Sequence, residues 1–158
     1  MGNLRAEIIT IGDEILYGQT LDTNSHWLSG EMDKIGVKVV RKSTIGDSES
    51  EILQALAEAE NRADIILSTG GLGPTKDDLT KPCLVKYFNS ELALNSEALE
   101  DVIAFFKSKG KELTGINRNQ AFMPKMAKPN RNKNGTAPGL WLEKNGKVFI
   151  SMPGVPLE

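Results

Sequence analysis

The stretch "LSTGGLGPTKDDLT", Leu67 to Thr80, decides how the chain is read. An apolar run, "ADIILST" (63–69), breaks into Gly70, Gly71 and Gly73, then Pro74, then the adjacent pair Asp77 and Asp78. The run is short and apolar enough to be a strand in the middle of a sheet. The glycines permit positive φ and let backbone N–H groups approach a ligand. The residues after them can be read two ways. Thr75-x-x-Asp78 has the pattern of a capping box, which would open a helix at Thr75. Such a helix would hold Pro82 in its interior, where the ring clashes with the carbonyl of Asp78 at a cost of about 3 kcal/mol. A helix opening at Thr80, with Thr80 as N-cap, puts Pro82 in the first turn, where its missing N–H costs nothing. The spacing therefore predicts a late helix after a loop of roughly ten residues, long for a strand-to-helix connection. Asp77 and Asp78 are then left outside the helix with no capping duty.

Outward from this point the chain alternates between strand and helix patterns. "AEIITIG" (6–12) reads as a first strand and "VKVVRKSTI" (37–45) as a second. Between them "DTNSHWLSGEMDKIG" (22–36) reads as a helix, capped by Asp22 or Thr23 and stopped by Gly36, with Trp27, Leu28, Met32 and Ile35 on one face. Ser48 and Glu51 form a capping-box pattern ahead of a helix that turns Ile52, Leu56 and Ala59 inward. Helices are expected near 80–89 and 96–109, the second carrying Leu99, Val102, Ile103 and Phe106, and a short one near 115–122. "GLWLEKNGKVFISMP" (139–153) reads as a β-hairpin turning at Asn145-Gly146. The expected fold is α/β in a single domain, 1–158: a mainly parallel sheet covered on both faces, with an antiparallel C-terminal β-hairpin.

Composition narrows the class. The 158 residues are 39% hydrophobic and 25% charged, which fits an ordinary globular protein. No apolar run is long enough to span a membrane. "MGNLRAEIITIG" fits neither a secretory signal nor myristoylation, since Ala6 stands where Ser or Thr is wanted. A lone cysteine, Cys83, suits a reducing cytoplasm and reads as a core thiol beside Leu79 and Tyr87. His26, the only histidine, reads as half-buried on its helix, and no nucleophilic triad or zinc site can be assembled around it. Charge is uneven: residues 107–147 carry ten Lys/Arg against two acids, and the rest nine against nineteen. "AKPNRNKNG" (127–135) reads as an exposed basic loop, either merely solvated or a wall facing an anion. Without aromatic residues interleaved among the lysines, nucleic acid is not an expected partner.

In open α/β sheets ligands bind beyond the carboxyl ends of the strands. Three loops leave strands there: "GDEILYGQTLDTN", "GDSES" and "GGLGPTKDD". The third lacks the Gly-Lys-Ser/Thr ending of a P-loop and any G-x-G-x-x-G. Its amides beside a helix N-terminus suit an anion, and its carboxylates suit a divalent cation shared with that anion. Asp13 and Glu14 fall on the same rim, either as turn residues or as further cation ligands. On the residues alone, a metal-assisted phosphate site and a structural loop both remain open.

"GDEILYGQTLDTNSHWL", "IGDS", "ADIILSTGGLGPTKDDLT", "NRNQA", "NGTAPGLWL" and "MPGVP" occur in this order. Together they resemble the N-terminal domain of the CinA (competence/damage-inducible) family, within the molybdopterin-binding MoaB/MogA/MoeA-like fold, from about Arg5 onward. The resemblance implies a three-layer α/β/α fold and hydrolysis of a nucleotide pyrophosphate such as ADP-ribose. The alternative it implies is a module that holds a nucleotide or pterin phosphate without turning it over. Asp78 matches an essential aspartate, with Asp77 and Asp13 as further catalytic candidates. Asp78, Asp13 and Glu14 are the candidate ligands of a divalent ion, Mg²⁺, Mn²⁺ or Co²⁺. Gly70, Gly71, Leu72, Gly73, Pro74 and Thr75 match the phosphate loop. Asn24, the segment Gly135, Thr136, Ala137 and Pro138, and the segment from Pro153 and Gly154 to Pro156 match the rest of the pocket. Relatives imply a dimer or trimer. They also continue past "GVPLE" into another helix, and many carry a deamidase domain not seen here. The resemblance therefore implies either an excised fragment or a domain with part of its fold left uncovered.

Overall fold

The computed structural model describes residues 2–154. Its sheet has six strands in the order β2-β1-β3-β8-β7-β6. β1 (Arg5–Ile11), β2 (Lys38–Ile45), β3 (Ile65–Thr69) and β8 (Lys147–Met152) are mutually parallel. β7 (Gly139–Lys144) and β6 (Lys128–Asn130) complete the sheet antiparallel. The hairpin turns as expected: Asn145 and Gly146 both take positive φ, 52° and 73°, as a type I′ turn requires.

Alternate residues of the central strands feed two apolar layers. On one face Ile8, Leu67 and Ile150, aligned across β1, β3 and β8, meet Leu28 and Met32 of α2 (Thr23–Lys34). On the other, Ile9, Ile66 and Phe149 join Ile52, Leu56 and Ala59 of α3 (Glu49–Arg62) and Cys83 and Leu84 of α4 (Thr80–Tyr87). The three-layer arrangement is therefore present. Beside it, β4 (Leu92–Leu94) and β5 (Phe122–Pro124) form a two-stranded antiparallel sheet with α5 (Ser96–Ser108), α6 (Gly115–Arg118) and a 3₁₀ turn over Asn119–Ala121.

Several local expectations need correction. Trp27 and Ile35 are exposed; Ser25 and Leu28 are the buried residues of α2. His26 is exposed rather than half-buried. Ile103 points outward, and Ala98 with Val102 forms the buried face of α5. Ser48 occupies the N-cap of α3 but makes no capping bond; its hydroxyl pairs with that of Ser50 instead. The basic segment 127–135 is not wholly loop, because β6 within it pairs with β7. A one-turn helix, α1 (Asp13–Leu16), opens the loop after β1.

Candidate functional site

All four parallel strands end on one rim. The chain leaves β1 toward β2 on one side and reaches β3 on the other, so the crevice between the β1 and β3 loops is a topological switch point. A cleft of about 450 Å³ opens there. Its wall is built from the β1 loop (Gly12, Glu14, Thr20 to Asn24), from Asp47 after β2, and from Gly70 to Gly73 with Asp77 and Asp78 after β3. Ala137, Pro153 and Gly154 close it.

The helix after the glycine loop opens at Thr80, as Pro82 demands, although Leu79 rather than Thr80 occupies the N-cap. Thr80 is the first helical residue, and its hydroxyl donates to the Gly70 carbonyl at 2.8 Å. Gly70 has φ 103°, and a Cβ there would lie 2.1 Å from the Ile11 carbonyl oxygen. A Cβ on Gly73 would lie 2.7 Å from the Asp78 carboxylate. At Gly70 the positive φ and the facing backbone carbonyl require glycine, whereas at Gly73 a side chain would have to displace the end of the Asp78 side chain. The Gly70 amide donates to the Met152 carbonyl. The amides of Gly71, Leu72 and Gly73 find no acceptor among the described residues.

The carboxylates are held individually. Asp78 accepts from the Thr75 amide at 3.0 Å and the Thr75 hydroxyl at 2.6 Å. It thus fastens its own loop through the reach back to the Thr75 amide that the Thr75-x-x-Asp78 pattern describes, although no helix opens at Thr75. This corrects the expectation that Asp78 has no capping duty. Asp13 does not line the cleft. Its carboxylate accepts from the Asp47 amide at 3.0 Å, while Asp47 accepts from the Asp13 amide at 3.2 Å, a reciprocal clasp between the β1 and β2 loops. Nothing in the sequence singles out Asp47, although its loop falls on the rim. Burial pushes its carboxyl up, and the negative charges of Asp13, Glu14 and Asp78 add to that against the Asp13 amide. Asp22 caps α2 by accepting from Ser25 and also takes the Thr10 hydroxyl. Burial alone would raise its carboxyl, but those donors hold it below the usual range.

Of the other expected ligand residues, Asn24 reaches the cleft and donates to the Gly154 carbonyl at 2.9 Å. Pro74 and Thr75 lie outside the lining. So do Gly135, Thr136 and Pro138; of that segment Ala137 alone lines it, with its carbonyl taken by Asn132. Pro156 lies outside the described residues. No lysine, arginine or histidine lines the cleft among the described residues, so the basic segment forms no wall of it. Hard oxygen donors of this kind suit Mg²⁺ or Mn²⁺. Yet no three of the acidic groups converge as a metal cage among the described residues. The trio Asp78, Asp13 and Glu14 is divided, because Asp13 is committed to the Asp47 amide.

A glycine loop whose amides lack acceptors among the described residues, at the switch point of a doubly wound sheet, defines a small-molecule-binding α/β domain. The chain belongs to the family described as the probable molybdopterin binding domain, whose model matches residues 7–158, and within it to the CinA-like branch. It is 50% identical to a CinA-like protein of Cytophaga hutchinsonii over 99% of its own length and 37% of that protein's. It is 46% identical to a CinA-like protein of Flavobacterium psychrophilum, over 98% of itself and 37% of the relative. The chain thus spans little more than a third of these curated relatives. The crystal structure of CinA, a protein with unknown function from Thermoplasma acidophilum, superposes with a TM-score of 0.87 at 35% identity, covering 98% of this chain and 90% of that one. The tungsten cofactor synthesizing protein MoaB from Pyrococcus furiosus, at 20% identity and TM-score 0.61 over 98% of this chain and 84% of its own, shares the fold.

Proposed function

We propose that the cleft binds a nucleotide or pterin through its phosphate groups, and that the domain hydrolyses a nucleotide pyrophosphate such as ADP-ribose. The amides of Gly71, Leu72 and Gly73, which have no acceptor among the described residues and lie beside the N-terminus of α4, carry this reading. A phosphate there meets partial positive charge from the loop and the helix end. Asp77 and Asp78 stand next to that position, where they can orient a water for in-line attack on phosphorus, with a phosphate oxygen as leaving group. A divalent cation carried in with the phosphates would be held by Asp78, with Asp77 or Asp47, and would supply charge neutralisation. Glu14 and Asp13 shape the far wall, Glu14 facing the cleft and Asp13 fixing the Asp47 loop.

The absence of a converged three-acid cage among the described residues favours a second reading, a binding module without turnover. Incubation of ADP-ribose with Mg²⁺, Mn²⁺ or Co²⁺, followed by product chromatography, separates the two. Hydrolysis predicts AMP and ribose 5-phosphate, with Asp78→Ala lowering the rate at least about a hundredfold. Saturable binding of AMP without product leaves the binding module standing and removes hydrolysis. No binding and no product removes both.

A further inference from the structure

Lys81 is 9% exposed in the first turn of α4 and forms no ion pair among the described residues. Its ammonium makes one long bond, 3.4 Å, to the Gln120 carbonyl in the 3₁₀ turn. Gln120 is itself 5% exposed, and its side-chain Oε1 is buried with no partner. An ammonium group has three donors, so two remain here beside a residue with a spare acceptor. Burial lowers the Lys81 pKa to about 8, and the charge of Asp78, three residues earlier, pulls it the other way. A hydrocarbon side chain of the same length would fill this place without that desolvation.

The cleft gives the charge a use. The residues lining it include Glu14, Asp22, Asp47, Asp77 and Asp78, with no basic residue among the described ones. A phosphate on the glycine amides would face those carboxylates with no basic side chain in the lining to offset them. We infer that Lys81 is a positioning residue of the cleft: anchored on Gln120, it fixes the first turn of α4 and places a buried positive charge behind the loop ending in Asp78, so that the cleft favours anions over bare cations. This rests on the reading of the cleft as a phosphate site. Lys81 touches neither ligand nor reacting atoms; it acts through Asp78 and the helix start.

The test uses two probes of opposite charge on the wild type, Lys81→Met, Lys81→Gln and Lys81→Arg. One is Mn²⁺ alone, followed by electron paramagnetic resonance; the other is inorganic pyrophosphate in chelator, followed by calorimetry. Loss of the buried charge in the Met and Gln variants should weaken pyrophosphate about tenfold and tighten Mn²⁺ by a similar factor. Lys81→Arg should restore both. A merely structural lysine would shift both probes the same way, and that result, or no shift in either, overturns the proposal. Should the wild type ignore pyrophosphate while the Met variant tightens Mn²⁺, the phosphate reading of the cleft falls and the role of Lys81 stands. Lys81→Gln keeps a polar group at the site should the Met variant fail to fold.

Discussion

Glu7 lies inside the sheet, 1% exposed on β1, and Arg62 at the end of α3 answers it with bonds of 3.0 and 2.7 Å. A fork of two charge-assisted bonds is what allows a carboxylate into such a place. Arg62→Met leaves that carboxylate buried and unpaired and should cost about 3–5 kcal/mol in urea unfolding. Adding Glu7→Gln should recover part of the loss. Cys83 is a second residue whose environment decides its chemistry. Burial pushes its thiol up to about 11, so the native protein should leave a thiol reagent at pH 8 unconsumed and take up one equivalent only when unfolded. At this scale the sequence is legible in part. Asp78 is recognisable as a cleft acid because Pro82 excludes it from the helix. That Asp13 is tied to Asp47 is not, since the bond joins loops 34 residues apart, and no local pattern encodes it. Asp47→Asn tests the crowding of that corner. Its carboxyl is raised in the fold, so the charged form destabilises at neutral pH, and the variant should melt higher at pH 7. The gain should fade as pH falls and Asp47 takes up its own proton.

α4 shows how one helix can be both legible and surprising. Its late start comes from a proline whose geometry is fixed before any tertiary contact forms. The buried Lys81 comes from nothing local, because its partner sits in the 3₁₀ turn nearly forty residues on. Its folded pKa, about 8, lies below the ordinary 10.5. Between those values the unfolded chain keeps a proton that the folded chain has released, so this lysine makes stability rise with pH across that window. Below pH 8 the burial penalty is present in full, of order 3 kcal/mol. Lys81→Met should therefore be the more stable protein at pH 7, by up to that amount, and the margin should close toward pH 10.5 in paired urea titrations. Cys83 and Tyr87 also titrate abnormally but occur in both proteins, so the difference isolates Lys81. Among the other elements, the long strands and helices announce themselves by period. The three-residue strands β4, β5 and β6 do not, because so short a segment becomes a strand only through its pairing partner.

For the molecule as a whole, strand order cannot be read from the chain, but the placement of the loops can. Parallel strands joined by helices put successive loops on one rim whatever their order, and on that rim Glu14, Asp47 and Asp78 line the same cleft. The segment holding Gly135, Thr136 and Pro138 falls elsewhere than expected because its polar side chains serve the segment itself: Asn132 donates to the Ala137 carbonyl and accepts from the Asn134 amide.

The position of β8 reaches beyond the finished structure. It is the last strand of the described chain, yet it lies between β3 and β7, and each residue from Ile65 to Thr69 is registered against it. On the ribosome, β3 therefore emerges some eighty residues before its neighbour and waits with an open, apolar flank, the condition under which nascent chains stick to one another. The open flank of β3 closes only when β8 arrives, so a nascent chain stalled before Lys147 should be held by chaperones where one stalled well after Met152 is released.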